Sequence, residues 1–492
     1  MKTAPKGYIE IEKYEKLEAD FLYQKEELAQ LKRLIFGKSN ERFTPSNPDA
    51  IQLQFDFGDL PELVEVEPAK ETEIRIEKRK KPAKKKPVRE NLPPHLRREK
   101  EVIEPENIPE NAVKIGDKIT EILEYQPGEI YVRQIVRPKY ALPNQAGIIN
   151  AEIPSLPLPK SNAGASLLAH LLIAKFVDHL PFHRIIKMFK RENIKLAEST
   201  VSNWYKNTCN LLEPLYNTMK TRLLVSYYLQ ADETPIPVLT SDKKGATHKG
   251  YYWVYYDPIH KLVIFDYQKS RGREGPDNFL GNFSGSLQTD GYSAYDHFEK
   301  IPHITLLGCM THARRYFEKS LDSYRELAEF AMLKFAELYR IERAAKDNNL
   351  TISQIKEMRQ KESLPILNQL KVWLIKNKDL VLPKSSIGKA IQYTINQWPK
   401  LIRYIEDGKY QIDNNLIENQ IRPIALGRKN YLFAGSHESA QRAAMIYSLL
   451  GTCKQHNVNP REWLTYVLTV LPEHKANKLS ELFPQNFAKI SN

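Results

Sequence analysis

A chain of 492 residues, 41% hydrophobic and 10% aromatic, exceeds what one core usually organises and has apolar surface for roughly two to four domains. Its 73 Lys and Arg against 60 Asp and Glu leave a net charge of +13 and a pI near 9.2, which favours a polyanionic partner, either nucleic acid or an anionic membrane surface. Three distant cysteines, Cys209, Cys309 and Cys453, exclude a disulfide framework and fit a reducing cytoplasm; no CxxC signals zinc, no apolar N-terminal run reads as a signal peptide, and no stretch of about 18 apolar residues would span a membrane.

Residues 8–36 read as a helix. Tyr14, Leu17, Phe21, Gln24, Leu28, Leu31 and Ile35 recur at alternating spacings of three and four and form one seam, with Gly37 as the stop. The seam suits a short N-terminal coiled coil within 1–44, hence self-association, or a single helix packed on its own chain. Residues 45–100 read as a disordered linker, rich in proline. It is acidic from Asp49 to Glu73, then basic through Lys78–Lys81, Lys84, Lys85, Lys86 and Arg89. The basic block suits a phosphate-binding arm, or a solvated tether.

Residues 101–160 read as a small β-rich unit with a strand at Ile130–Val136, followed by turns at Pro154, Pro157 and Pro159. Residues 161–222 are helical by pattern. Phe182–Arg191 and Ser199–Leu212 are amphipathic, and Ser199 and Thr200 are candidate N-caps of the second helix. The pair resembles a helix-turn-helix with Ser202, Asn203 and Lys206 on the DNA side, or two packed core helices.

From residue 223 the character changes to β. Leu223–Ala231 ends at Asp232. Tyr251–Tyr256 and Lys261–Tyr267 flank a hairpin turn at Asp257–His260. Ser286–Thr289 ends at Asp290, and Ile304–Cys309 is a further strand. Residues 311–405 are helical by pattern, as is 413–430. The stretch 437–472 is a helical tail with Trp463 and Leu464 available to pack.

Carboxylates at neighbouring strand ends can converge on one point, and hard divalent cations take oxygen ligands. Phosphodiester chemistry commonly uses two such ions about 3.5–4 Å apart, so a third carboxylate is expected on a helix facing the sheet. Asp413-Asn-Asn-Leu-Ile-Glu-Asn supplies it. Singly, each acid is more often a turn or cap residue. In the order strand, strand, helix they are informative together.

From Tyr227 to Pro472 the chain resembles the insertion sequence 66 transposases. The stretches that carry the resemblance are Gln230-Ala-Asp-Glu-Thr-Pro-Ile, Tyr251-Tyr-Trp-Val-Tyr, Gln288-Thr-Asp-Gly-Tyr-Ser-Ala-Tyr, Gly308-Cys-Met-Thr-His-Ala-Arg-Arg-Tyr-Phe, Ile412-Asp-Asn-Asn-Leu-Ile-Glu-Asn-Gln-Ile-Arg-Pro and Gly427-Arg-Lys-Asn-Tyr-Leu-Phe-Ala-Gly-Ser. The front half is similar too, with Leu34-Ile-Phe-Gly-Lys-Ser-Asn-Glu-Arg-Phe before the basic linker. The resemblance implies an α/β catalytic core over 223–436, a ribonuclease-H-like mixed sheet with a large helical insertion at 311–405, and a C-terminal helical segment at 437–492. It implies an Asp-Asp-Glu triad of Asp232, Asp290 and Glu418, binding Mg²⁺ or Mn²⁺ as two ions. Asp413 is the rival third ligand; the family's pattern ends at Glu418, which leaves Asp413 as a helix N-cap.

The implied activity is a bacterial DNA transposase of the cytoplasm and nucleoid. It cleaves DNA at an element's ends and joins the 3′-hydroxyls to target DNA, as a homo-oligomer, with small accessory proteins of the element as further partners and no membrane. Family members usually carry a cysteine-based zinc segment. Here Arg137-Pro-Lys-Tyr-Ala-Leu-Pro stands in its place and 1–208 hold no cysteine, so no zinc is expected. His312, Arg315, Arg422, Arg428 and Lys429 are candidates for contacting phosphate, or for pairing with surface acids. The alternatives are a nuclease or resolvase that hydrolyses and never joins, and a DNA-binding relic without catalysis.

Overall fold

The computed structural model describes residues 155–159, 161–239 and 246–487, the strand pair at 139–141 and 148–150, and positions 20, 21, 24, 28, 128, 130–133 and 135. The chain divides into one unit of residues 61–153 and another of 1–60 with 154–492. The helical seam at 14–35, the linker and its Lys84, Lys85 and Lys86 lie outside the described residues, apart from helical positions 20, 21, 24 and 28.

In the smaller unit, β1 (Lys139–Ala141) pairs antiparallel with β2 (Ile148–Asn150). The expected strand Ile130–Val136 is not formed at its described positions. Ile130, Tyr131 and Val132 are 48%, 72% and 86% exposed, so their apolar side chains have no layer to bury against.

The larger unit begins with helices α1 (Ala165–Phe176), α2 (Phe182–Arg191) and α3 (Glu198–Leu224). The last is longer than its amphipathic pattern suggested. Pro214 lies inside it, and its N-cap is Ala197 rather than Ser199 or Thr200. Leu212, Leu215, Met219 and Leu223 continue the buried stripe past the proline and hold the extra turns against the core.

The sheet follows as β3 (Tyr228–Leu239), β4 (Thr247–Asp257), β5 (Leu262–Gln268), β6 (Gly285–Gln288) and β7 (Ile304–Leu307). Its order is β5-β4-β3-β6-β7. β4 runs antiparallel to both β3 and β5, and β6 and β7 continue parallel to β3. The sheet is thus mixed, with β3 at its centre.

β3 does not end at Asp232, as the apolar run Leu223–Ala231 suggested. It runs on to Leu239, with Pro235 opposite Tyr251 and Pro237 opposite Lys249. β6 pairs only as far as Gln230, so beyond that point one edge of β3 is open. Pro237 C=O and Leu239 N–H face that edge, where they bond Ala434. Pro235 and Pro237 share their parity, so the missing N–H groups fall on the open side and cost no ladder bond.

Helices cover both faces. One face carries α4 (Glu274–Leu280), whose Phe279 stacks on Tyr255 at 3.8 Å, and a 3₁₀ turn over Ser293–Lys300, whose Tyr295 meets Trp253. The other carries α10 (Asn415–Tyr431) and α11 (His437–Gln455), with Tyr447 against Phe265 and Tyr252. α12 (Pro460–Val470) completes that layer with buried Trp463 and Leu464. Between β7 and α10 the chain makes a helical excursion: α5 (Met310–Glu318), α6 (Arg325–Asp347), α7 (Ile352–Met358), α8 (Leu364–Lys378) and α9 (Ser386–Leu401). This excursion buries a second core around Phe317, Phe335, Leu370 and Ile391. No described helix is long and apolar enough to cross a membrane.

Candidate active site

The strand register settles which way each acid faces. Asp232 lies opposite Val254, and Glu233 opposite Trp253, so the two start on opposite faces of β3. The open edge lets both turn toward it. The Asp232 carboxylate accepts the N–H of Glu233 at 2.7 Å, which folds it round the strand. Asp290 follows β6 where that strand leaves β3. Its Oδ1 accepts the Tyr292 N–H at 2.8 Å, and its own C=O accepts the Tyr393 hydroxyl at 2.8 Å. Gly291 between them has φ +89°, which a side chain would strain. Ligand oxygens of Asp232, Glu233 and Asp290 all lie within 4.8 Å of one another. Such an all-oxygen group can hold a divalent metal ion.

Buried amides fix α10 beside this cluster. Gln230 Nε2 donates to Gln288 Oε1 at 2.9 Å and to the Asp413 C=O at 3.0 Å. Gln288 Nε2 donates to the carbonyls of Gly308 and Gln411 at 3.0 and 2.9 Å. Asn414 Nδ2 reaches the Ala231 C=O at 3.0 Å, one residue before Asp232. Asn414, not Asp413, is the N-cap of α10.

Asp413 is buried, and its carboxylate accepts four hydrogen bonds: from Thr311 Oγ1 (2.9 Å), Tyr339 OH (2.7 Å), Asn415 N–H (3.0 Å) and Asn415 Nδ2 (2.9 Å). Three of those bonds fall on Oδ2 and one on Oδ1, which makes Asp413 a tie between α5, α6 and the start of α10. Glu418, in the first turn of α10, is outside the 4.8 Å group. Both its oxygens are engaged by Arg315 of α5, at 3.1 and 3.0 Å.

The electrostatics fit a cluster of acids drawn out of water. Burial first, and then the charges of Asp290 and Glu233, hold the Asp232 carboxyl well above the usual range; Glu418 adds to this. Burial and Asp290 push Glu233 up to about 7 against the pull of Arg271. Burial lowers His312, opposed by Asp290 and Glu418.

The remaining candidates are spread out. Arg422 and Lys429 are exposed on α10, and Arg428 Nη1 donates to the Pro235 C=O. Ser202, Asn203 and Lys206 are exposed on α3, as the pattern suggested. Cys309 is buried, and its sulfur accepts the Asn414 N–H. Sequence reasoning missed Glu233 and Arg271. The signal for Glu233 was two consecutive acids in a strand otherwise built for burial; strand alternation argues against their meeting, and only the open edge permits it.

The family model described as "Transposase IS66 family" matches residues 160–442, "IS66 C-terminal element" matches 448–485, and "Transposase C of IS166 homeodomain" matches 24–100. Three uncharacterized proteins of Sinorhizobium fredii are similar over most of their length. y4hP is 28% identical over 94% of this chain and 88% of its own. y4qI is 30% identical over 83% and 79%, and y4jD is 29% identical over 94% and 94%. With models of one family matching along so much of its length, the chain belongs to the IS66 family of transposases and so to the proteins of DNA transposition.

Proposed function

We propose that this protein cleaves DNA at the ends of an insertion sequence and joins the freed 3′-hydroxyls to target DNA, with Asp232, Asp290 and Glu418 as the catalytic carboxylates. The observation that carries the reading is the convergence of Asp232 and Asp290 at the open edge of the central strand, with an acid-bearing helix beside them. The strand order, antiparallel on one side of β3 and parallel on the other, supports a ribonuclease-H-like core.

The donor set fits hard cations, Mg²⁺ or Mn²⁺, because every ligand is oxygen and one buried carboxylate oxygen, Glu233 Oε2, has no hydrogen-bond partner among the described residues. The chemistry that two such ions supply is activation of a water or 3′-hydroxyl and stabilisation of the leaving oxygen. Asp232 and Asp290 would hold that centre from the sheet, and Glu418 would complete it from α10. Arg315 would face the DNA backbone, as would exposed Arg422 and Lys429 and the half-buried Arg428. Ser202, Asn203 and Lys206 read the element's ends, and Lys84, Lys85 and Lys86 add a sequence-independent phosphate grip. The protein acts as a homo-oligomer in the bacterial cytoplasm, with the accessory proteins of its element as further partners and no structural zinc.

The test is donor cleavage and strand transfer by purified protein on end-sequence DNA in Mg²⁺. Joined products are expected from the wild type and none from Asp290→Ala. Cleavage without joined products would make it a nuclease, and full activity in Asp290→Ala would remove the triad.

A further inference from the structure

Glu233 is the least explained acid of the cluster. Its side chain is 2% exposed, yet only Oε1 is engaged, by Arg271 Nε at 2.8 Å and by Nη2. Oε2 is buried and has no hydrogen-bond partner among the described residues. A carboxylate held in a structural ion pair uses both oxygens, as Glu342 does with the buried Arg359. Arg271 sits to one side of Glu233. Its guanidinium lies 3.9 Å from the centroid of the Tyr292 ring, and the Tyr292 hydroxyl donates to its carbonyl at 2.9 Å. That stacking fixes the arginine where it serves one oxygen. A ligand oxygen of Glu233 lies within 4.8 Å of those of Asp232 and Asp290.

We infer that Glu233 is a further carboxylate ligand of the metal centre, holding a divalent cation together with Asp232 and Asp290. The inference rests on the cluster being a metal centre, and it adds a ligand from the face of the sheet opposite α10. Arg271 neutralises one oxygen of Glu233 and leaves the other for the cation. A charge of this size buried beside two acids is costly without a counter-ion, which Arg271 supplies only in part.

The experiment uses the full-length protein and Mn²⁺ alone, with free ion counted by electron paramagnetic resonance. Glu233→Gln and Glu233→Asp are each expected to weaken Mn²⁺ binding about tenfold or more, while both unfold in EDTA no earlier than the wild type. Glu233→Asp keeps the charge and shortens the reach, so its loss separates ligation from attraction at a distance. Arg271→Ala leaves Glu233 in place and is expected to tighten Mn²⁺ binding a few-fold, an effect lost when Glu233→Gln is added. Unchanged binding in Glu233→Asp, or tightening by Arg271→Ala that survives Glu233→Gln, overturns the inference and leaves a centre of Asp232 and Asp290 intact if Asp232→Asn still abolishes binding. Failure of the wild type to bind Mn²⁺ removes the metal centre itself.

Discussion

Arg315 and Glu418, 103 residues apart in the chain, face each other through two nearly equal hydrogen bonds of 3.1 and 3.0 Å, each to a different oxygen of the carboxylate. The side chains are 29% and 28% exposed, so the pair sits at the rim of the acidic cluster and not in the core. Arg315 takes one acceptor site on each oxygen, so it holds Glu418 at the rim and competes with a cation for its charge.

Arg315→Ala is therefore expected to tighten Mn²⁺ binding several-fold and to lower affinity for end-sequence DNA, since it frees a ligand and removes a cation from the rim. Mn²⁺ titration and DNA binding in Ca²⁺ measure the two effects. If the tightening persists in Arg315→Ala/Glu418→Gln, it is a charge effect alone and Glu418 is no ligand.

The acids of the cluster make the metal-free protein less stable near neutrality. An acid whose folded pKa is raised contributes stability that is present below its unfolded pKa and lost as pH rises through the folded one. For Glu233 that window runs from its ordinary value near 4.5 to about 7. In EDTA, acidifying from pH 7 to 5 should raise the melting temperature through this group, and Glu233→Gln should flatten that slope. Asp232→Asn should melt higher than wild type in EDTA, because burial and the neighbouring acids disfavour the charged carboxyl, and should lose the stabilisation that Mn²⁺ gives. A melting temperature in EDTA that does not rise from pH 7 to 5 would refute the first, and a wild-type melting curve insensitive to Mn²⁺ would remove the metal stabilisation.

Lys175 gives a pH effect of the opposite sense. It packs 4.6 Å from the ring centroid of Phe182 and 4.8 Å from that of Tyr431, joining α1 to α2 and α10. Burial lowers it to about 8. The unfolded chain then binds the extra proton between pH 8 and its ordinary value near 10.5, so stability rises with pH from 8 until unfolded tyrosines ionise near pH 10. Lys175→Met should abolish that rise and stabilise the protein at pH 7 by about 1 kcal/mol. Urea titrations across pH 7–10 test it.

Asp413→Ala should destabilise by about 1–3 kcal/mol, because it removes the shared acceptor of Thr311, Tyr339 and Asn415 and leaves the two hydroxyls only each other, at 2.7 Å. Tyr339→Phe removes one of those donors and should cost about 1 kcal/mol. Equal urea midpoints for Asp413→Ala and wild type would show that the carboxylate ties nothing down.

The hairpin of β4 and β5 was legible because its aromatic and β-branched runs flank an unmistakable turn. The two aspartates were legible because each follows a short apolar run. The length of β3 was not, since its apolar run stops at Ala231 and what carries the strand on to Leu239 is its pairing with β4. Glu233 was hidden by the strand's open edge. Arg315 was legible as a basic residue near the centre, but not as the partner of Glu418, because nothing local links α5 to α10. The buried carboxamides of Gln230 and Gln288 carry no periodic signal at all; their importance lies in acceptors far along the chain.

Those acceptors impose an order on synthesis. The Asp413 carbonyl that Gln230 requires emerges 183 residues later, and the Gln411 carbonyl that Gln288 requires 123 residues later. At roughly 5–20 residues per second, β3 waits about 10–40 s after translation before its central amide finds its last partner. A nascent chain therefore holds Asp232 and Asp290 without the helix that borders them, and a ribosome that stalls anywhere within the helical excursion releases a fragment whose acidic centre was never closed.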